Sequence, residues 1–75
     1  MTNNAAFQER LAAYMRDVSS YASSGPGWAE LGSTEQLRTL AHHMRAAIDR
    51  LPVATRQDLR EQYVYPLEEQ LRSAA

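Results

Sequence analysis

The chain contains no cysteine and no lysine. Without cysteine there is no disulfide framework, no Cys/His set for a structural zinc and no thiol nucleophile. Without lysine there is no cation to follow a phosphate-cradling glycine loop. Gly25-Pro26-Gly27 is in any case short and interrupted by proline. Long apolar runs are missing too, since nothing approaches the roughly 20 residues of a membrane span. The opening Met1-Thr2-Asn3-Asn4-Ala5-Ala6 carries neither the basic region nor the apolar stretch of a signal peptide. A cytoplasmic location is the resulting expectation. An excess of one charge sign is absent as well. Eight basic and nine acidic residues are interleaved, for a net charge of −1. A binder of nucleic acid or of an anionic membrane surface needs a basic field, which this balance does not supply.

Every basic residue is arginine, and alanine is abundant. The simplest reading is a GC-rich bacterial or phage genome; the functional alternative is selection for bidentate, stacking guanidinium groups at an interface. At 75 residues the chain makes one domain, spanning 1–75. A chain of that size buries only about 60–65% of its unfolded surface. Tight helix packing or self-association must therefore supply the stability that disulfides and metals do not.

What the sequence does contain is apolar spacing of helical period, three times over. The first stripe is Phe7, Leu11, Tyr14, Met15, Val18 and Tyr21; the second is Leu37, Leu40, Ala41, Met44, Ile48 and Leu51; the third is Leu59, Tyr63, Leu67 and Leu71. Steps of three and four hold each set on one side of a helix. Asn3 or Asn4 offers an N-cap for a helix over 4–23, ended by the serine-rich run into Gly25-Pro26-Gly27. Ser33 with Gln36 fits a capping box for a helix over 34–51, stopped by Pro52. Thr55 caps a third helix over 55–74, with Asp58 near its positive end. The expected fold is all-α: a small three-helix bundle, up-down-up, its third helix kinked or broken at Pro66 and its core completed by dimerisation. The expected core is Phe7, Leu11, Tyr14, Val18, Leu37, Leu40, Met44, Ile48, Leu59, Tyr63 and Leu67.

Chemistry-bearing residues are sparse. His42 and His43 diverge by about 100° on a helix and have no carboxylate or histidine one turn away, so no metal site is expected. Ser19, Ser20, Ser23, Ser24 and Ser33 sit at helix ends without a nucleophile elbow. Glu61, Glu68 and Glu69 fall on the solvent side of the third helix, with Glu68 placed to pair with Arg72. No cofactor and no catalytic group are expected. The reading is a small non-catalytic interaction module (subunit, adaptor, chaperone or inhibitor) that meets another protein or a second copy of itself. Its candidate contact residues are Trp28, placed in a loop; Tyr65, outward beside Pro66; and Leu67 and Leu71, on the stripe least covered by the other helices. The alternative is a dimeric DNA-binding regulator using a helix-turn-helix-like segment over 34–65. Arg56, Gln57 and Arg60 would then read base edges.

Overall fold

In the computed structural model, which describes residues 2–74 and the side chains of 5–73, the helical stripes fold as an all-α three-helix bundle. Helix α1 spans Thr2–Ser23, and α2 spans Ser33–Ile48. The third helix runs continuously as α3 (Val53–Leu59), a π-helical turn (Arg60–Val64) and α4 (Tyr65–Ala74). A short 3-10 turn, Trp28–Glu30, lies in the connection between α1 and α2.

The caps differ from the expected ones. Helix α1 already begins at Thr2, with Asn3 and Asn4 inside it, because no glycine or proline interrupts residues 2–6. Ser33 is the first residue of α2 rather than its cap; Gly32 takes the cap position, and the Gln36 amide donates to the Trp28 carbonyl at 3.0 Å. The capping box is thus replaced by a tie from α2 to the connecting loop. Helix α2 ends at Ile48 rather than at Leu51. Its last turn tightens, with Arg50 N–H on the Ala47 carbonyl at 3.2 Å and Leu51 N–H on the Ile48 carbonyl at 3.0 Å. Pro52, not Thr55, caps α3, and the Thr55 hydroxyl donates back to the Pro52 carbonyl at 2.8 Å. That bond satisfies the hydroxyl inside the first turn, which removes the reason for Thr55 to stand outside it.

Pro66 neither breaks the third helix nor begins a separate one. Lacking an N–H, it strands a carbonyl of the preceding turn, and its ring would clash with that turn in regular α geometry. The chain answers by widening: Tyr65 N–H donates to the Arg60 carbonyl, five residues back. This moves Val64 inward. Leu59 and Val64 are both buried, though they lie five positions apart.

The core is formed by all three helices: Leu11 and Met15 from α1, Met44 and Ile48 from α2, Leu59 and Val64 from the third. Of the expected core, Phe7, Tyr14, Val18, Leu40, Tyr63 and Leu67 pack half-buried around it, and Leu37 is half-buried as well. Met15 and Val64 are fully buried although neither was expected there; Ala22, Ala41 and Ala47 are also buried. Small residues on α1 and α2 let the two helices approach closely. Tyr21, placed by its spacing on the apolar face, is instead 72% exposed.

Helix α2 is the middle element, with α1 on one side and α4 on the other. Two ion pairs clip the third helix to it: Arg45–Glu68 at 2.6 Å and Arg60–Asp49 at 3.0 Å. Glu68 therefore reaches across to α2, while Arg72 pairs with Glu69. The Glu68 hydrogen bond is the main cause holding the Arg45 pKa above the ordinary guanidinium value. Among the described residues, no helix is long and apolar enough to cross a membrane.

Candidate functional site

The seam between α1 and α2 carries the most distinctive surface of the molecule. Its register is fixed by two contacts. The Tyr14 hydroxyl donates to the Ala47 carbonyl at 3.3 Å, one residue before the end of α2. One end further along, the Tyr21 ring meets His43 edge-on, with centroids 5.8 Å apart. Between these contacts lies a groove of about 470 Å³, walled by Tyr14, Val18 and Tyr21 on α1 and by His43, Ala46 and Ala47 on α2. Two charged residues also line it: Asp17 on the α1 wall and Arg50 just past the end of α2. The four ion pairs found among the described residues involve neither of them.

His43 also lines a second, smaller hollow of about 320 Å³, shared with Ala22, Pro26, Trp28, Leu31 and Thr39. The aromatic surface is therefore continuous from Tyr14 to Trp28. Local chemistry builds this end. Gly27 takes a left-handed conformation at φ 84°, which reverses the chain and starts the turn holding Trp28. Gln36 then pins the Trp28 carbonyl to α2. Trp28 ends half-buried, part plug and part surface. A larger hollow of about 600 Å³ lies on the outer face of α1 around Ala6, Ala13, Glu9, Arg10 and Arg16, but it has no aromatic wall and belongs to a single helix.

The residues nominated from the sequence are not gathered in one place. Trp28 joins the seam. Tyr65, Leu67 and Leu71 lie on α4, on the other side of α2: Tyr65 is 40% exposed, Leu67 packs half-buried against the core, and Leu71 is half-buried. The residues of the DNA-reading alternative are engaged within the chain. Arg56 Nε donates to the Leu51 carbonyl at 2.8 Å, Gln57 to Glu61 at 3.1 Å, and Arg60 to Asp49 at 3.0 Å. Arg60 Nε is buried without a partner among the described atoms.

His42 stacks edge-on against His43, with centroids 5.7 Å apart. No group of three or more metal-binding side chains occurs among the described residues. Tyr21, His43, Asp17 and Arg50 were not among the contact residues nominated from the sequence, which put Tyr21 on the apolar stripe and weighed His43 as a metal ligand. Helical spacing assigns a residue to a face, and only the packed positions of α1 and α2 show which edge of that face stays open.

No protein family, curated protein or solved structure matches the chain.

Proposed function

We infer that the chain is a non-catalytic protein–protein interaction module whose working surface is the aromatic seam between α1 and α2. The observation that carries this reading is Tyr21. A large aromatic stands 72% exposed at the mouth of a groove, against a half-buried histidine and in line with a half-buried tryptophan. Aromatic side chains at a concave surface are the anchors that dominate binding energy in protein interfaces. The all-arginine, alanine-rich composition and the balanced charge fit a bacterial, cytoplasmic chain.

Site-specific photo-crosslinking tests the reading. Val53, at the start of α3, is 73% exposed and so matches Tyr21 in accessibility while lying outside the seam. A photoreactive phenylalanine at position 21 is expected to capture protein, whether other copies or another chain, and at position 53 to capture none. Equal capture at both positions, or none at 21, removes the seam as an interaction surface.

A further inference from the structure

Beyond the seam, we propose that the outer face of α1 joins two copies of this chain, their α1 helices antiparallel about a two-fold axis at Ala13. The face lies opposite the core residues Leu11 and Met15 and carries the hollow of about 600 Å³ on α1. Four charges frame it. Glu9 and Arg16 fall about 40–60° to one side of Ala13 around the helix, and Arg10 and Asp17 as far to the other. All four are exposed, and none belongs to an ion pair among the described residues. The positions three and four residues from each of them hold no opposite charge, so α1 cannot pair them within itself. Arg38 with Glu35 and Arg72 with Glu69 do the opposite, each pairing one turn away on its own helix. Between the charged edges run Ala6, Ala13 and Ser20, seven residues apart, which drift by only about 20° per step.

Each edge carries one acid and one base seven positions apart, in reversed order: acid then base for Glu9 and Arg16, base then acid for Arg10 and Asp17. A two-fold axis perpendicular to two antiparallel helices sets each edge against the same edge of the other copy, run backwards. With the axis at Ala13, a residue n positions before it stands level with the residue n positions after it in the second copy. Ala6 then meets Ser20, seven before and seven after. Glu9 is four before and Arg16 three after, so the two differ in height by one residue, about 1.5 Å. Arg10, three before, and Asp17, four after, differ by the same amount. Each edge contributes its pair twice, which gives four ion pairs around a centre of small side chains. Ala13 faces its own equivalent, and the lack of bulk there brings the helix axes to the close end of the usual range of about 8–10 Å. A different protein would have to present this same pattern of small residues and reversed charges; α1 already carries it. The charges also match between parallel helices, with Glu9 beside Arg10, but opposed helix dipoles favour the antiparallel pair. Tyr14, which marks the α2 side of α1, lies about 100° around the helix from Ala13, so this pairing leaves the seam open.

Sedimentation equilibrium of the full chain, carried to low millimolar concentration, tests the proposal with charge-reversed variants. Wild type is expected to reach the dimer mass and to dissociate as ionic strength rises, because exposed ion pairs are screened. Glu9→Arg sets arginine against Arg16 at both contacts of its edge, and Arg16→Glu sets glutamate against Glu9, so each variant alone is expected to be monomeric. Mixed, the two restore opposite charges at both contacts, and a dimer containing one of each is expected. A parallel pair is not restored by mixing, since the Glu9→Arg side chain still meets Arg10 of the other copy. The chain has no cysteine of its own, so single cysteines read the axis directly. Ala13→Cys is expected to oxidise to a disulfide-linked dimer, and Gln8→Cys, exposed and about 140° around the helix, is not. Both reversed positions are exposed, so far-UV spectra of those variants should match wild type.

A wild type that stays monomeric overturns the proposal. So does a dimer that survives both reversals, a pair of variants that do not associate on mixing, or Gln8→Cys oxidising as readily as Ala13→Cys. The seam is tested apart from this face. Tyr21 stands level with the start of α1 of the second copy, so photo-crosslinking from position 21 is read in the Glu9→Arg background as well. Capture there reports the seam alone, whatever becomes of the α1 dimer.

Discussion

Ile48 is fully buried at the end of α2, where side chains of all three helices meet. Truncating it leaves a cavity that neighbouring elements fill only in part. Ile48→Ala should cost about 2–5 kcal/mol, a large share of the stability of so small a domain. Chemical denaturation measures this directly, and a cost below 1 kcal/mol would mean that the site collapses freely (about one buried methylene's worth). Leu40, on the same stripe, is only half-buried and should cost less. Gly27 is a second residue whose role is singular. Its left-handed φ of 84° is open to an added Cβ as far as neighbours go, since nothing lies within 4 Å. The penalty in Gly27→Ala is therefore one of backbone strain alone, about 1–2 kcal/mol. An unchanged melting temperature would show that the loop rearranges around the substitution. Tyr21 shows where spacing stops being informative at this scale. It has the right phase for the α1 stripe, but it lies near the C-terminal end of α1, and α4 packs on α2 rather than covering α1. Phase gives direction, whereas burial needs a neighbour in that direction.

The helices themselves were legible because each stripe repeats over several turns, and the third helix shows the limit of that logic. On an ideal α-helix Val64 lies about 140° from Leu59, so a regular period sends it to the flank of the stripe. The π-helical turn over Arg60–Val64 brings both residues inside. Proline announces an irregularity in sequence but not its kind: a kink, a break and a widened turn all relieve the same clash. The fully buried Val64 side chain selects among them, because reverting to α geometry would swing it out of the core. Pro66→Ala should consequently leave the π turn in place. The Tyr65 amide should stay protected from hydrogen exchange, and the Val64 methyls should keep their core contacts. Stability should rise by less than the roughly 3 kcal/mol that proline costs inside a regular helix, because the wide turn already avoids the clash. Loss of the Val64 core contacts in that variant would show that proline, and not packing, holds the turn. Capping signals were read less well for a related reason. Ser33, Gln36 and Thr55 all have the chemistry of caps, but Gln36 finds the Trp28 carbonyl and Thr55 the Pro52 carbonyl. A side chain with several partners in reach takes the one that tertiary structure presents.

For the whole molecule, the radius of gyration is 13.4 Å, against about 11 Å for a compact chain of this length. The extents of 44 × 25 × 17 Å describe a long, thin body in which α2 is flanked rather than enclosed. Such a shape leaves much of α1 open, and that is why the seam exists. It was not legible in the sequence, because an open edge depends on how three helices share one short core. Thinness also raises the question of whether α1 detaches on its own while α2 and the third helix stay folded. The core argues against separate units: Leu11 and Met15 of α1 belong to the same buried cluster as Met44, Ile48, Leu59 and Val64. Removing α1 would expose the centre of that cluster, so no part retains a core by itself, and all-or-none unfolding is expected. Trp28 makes this measurable. It is the only tryptophan, it sits at the junction of α1 and α2, and Gln36 ties its carbonyl to α2. Its fluorescence reports that junction, while the far-UV signal reports all the helices. In urea the two transitions should coincide, with a common slope of about 1 kcal/mol per molar, at the low end for small domains. A fluorescence transition that precedes the far-UV one would show α1 and its loop leaving first, and the cluster would then have to be re-centred on α2 and the third helix.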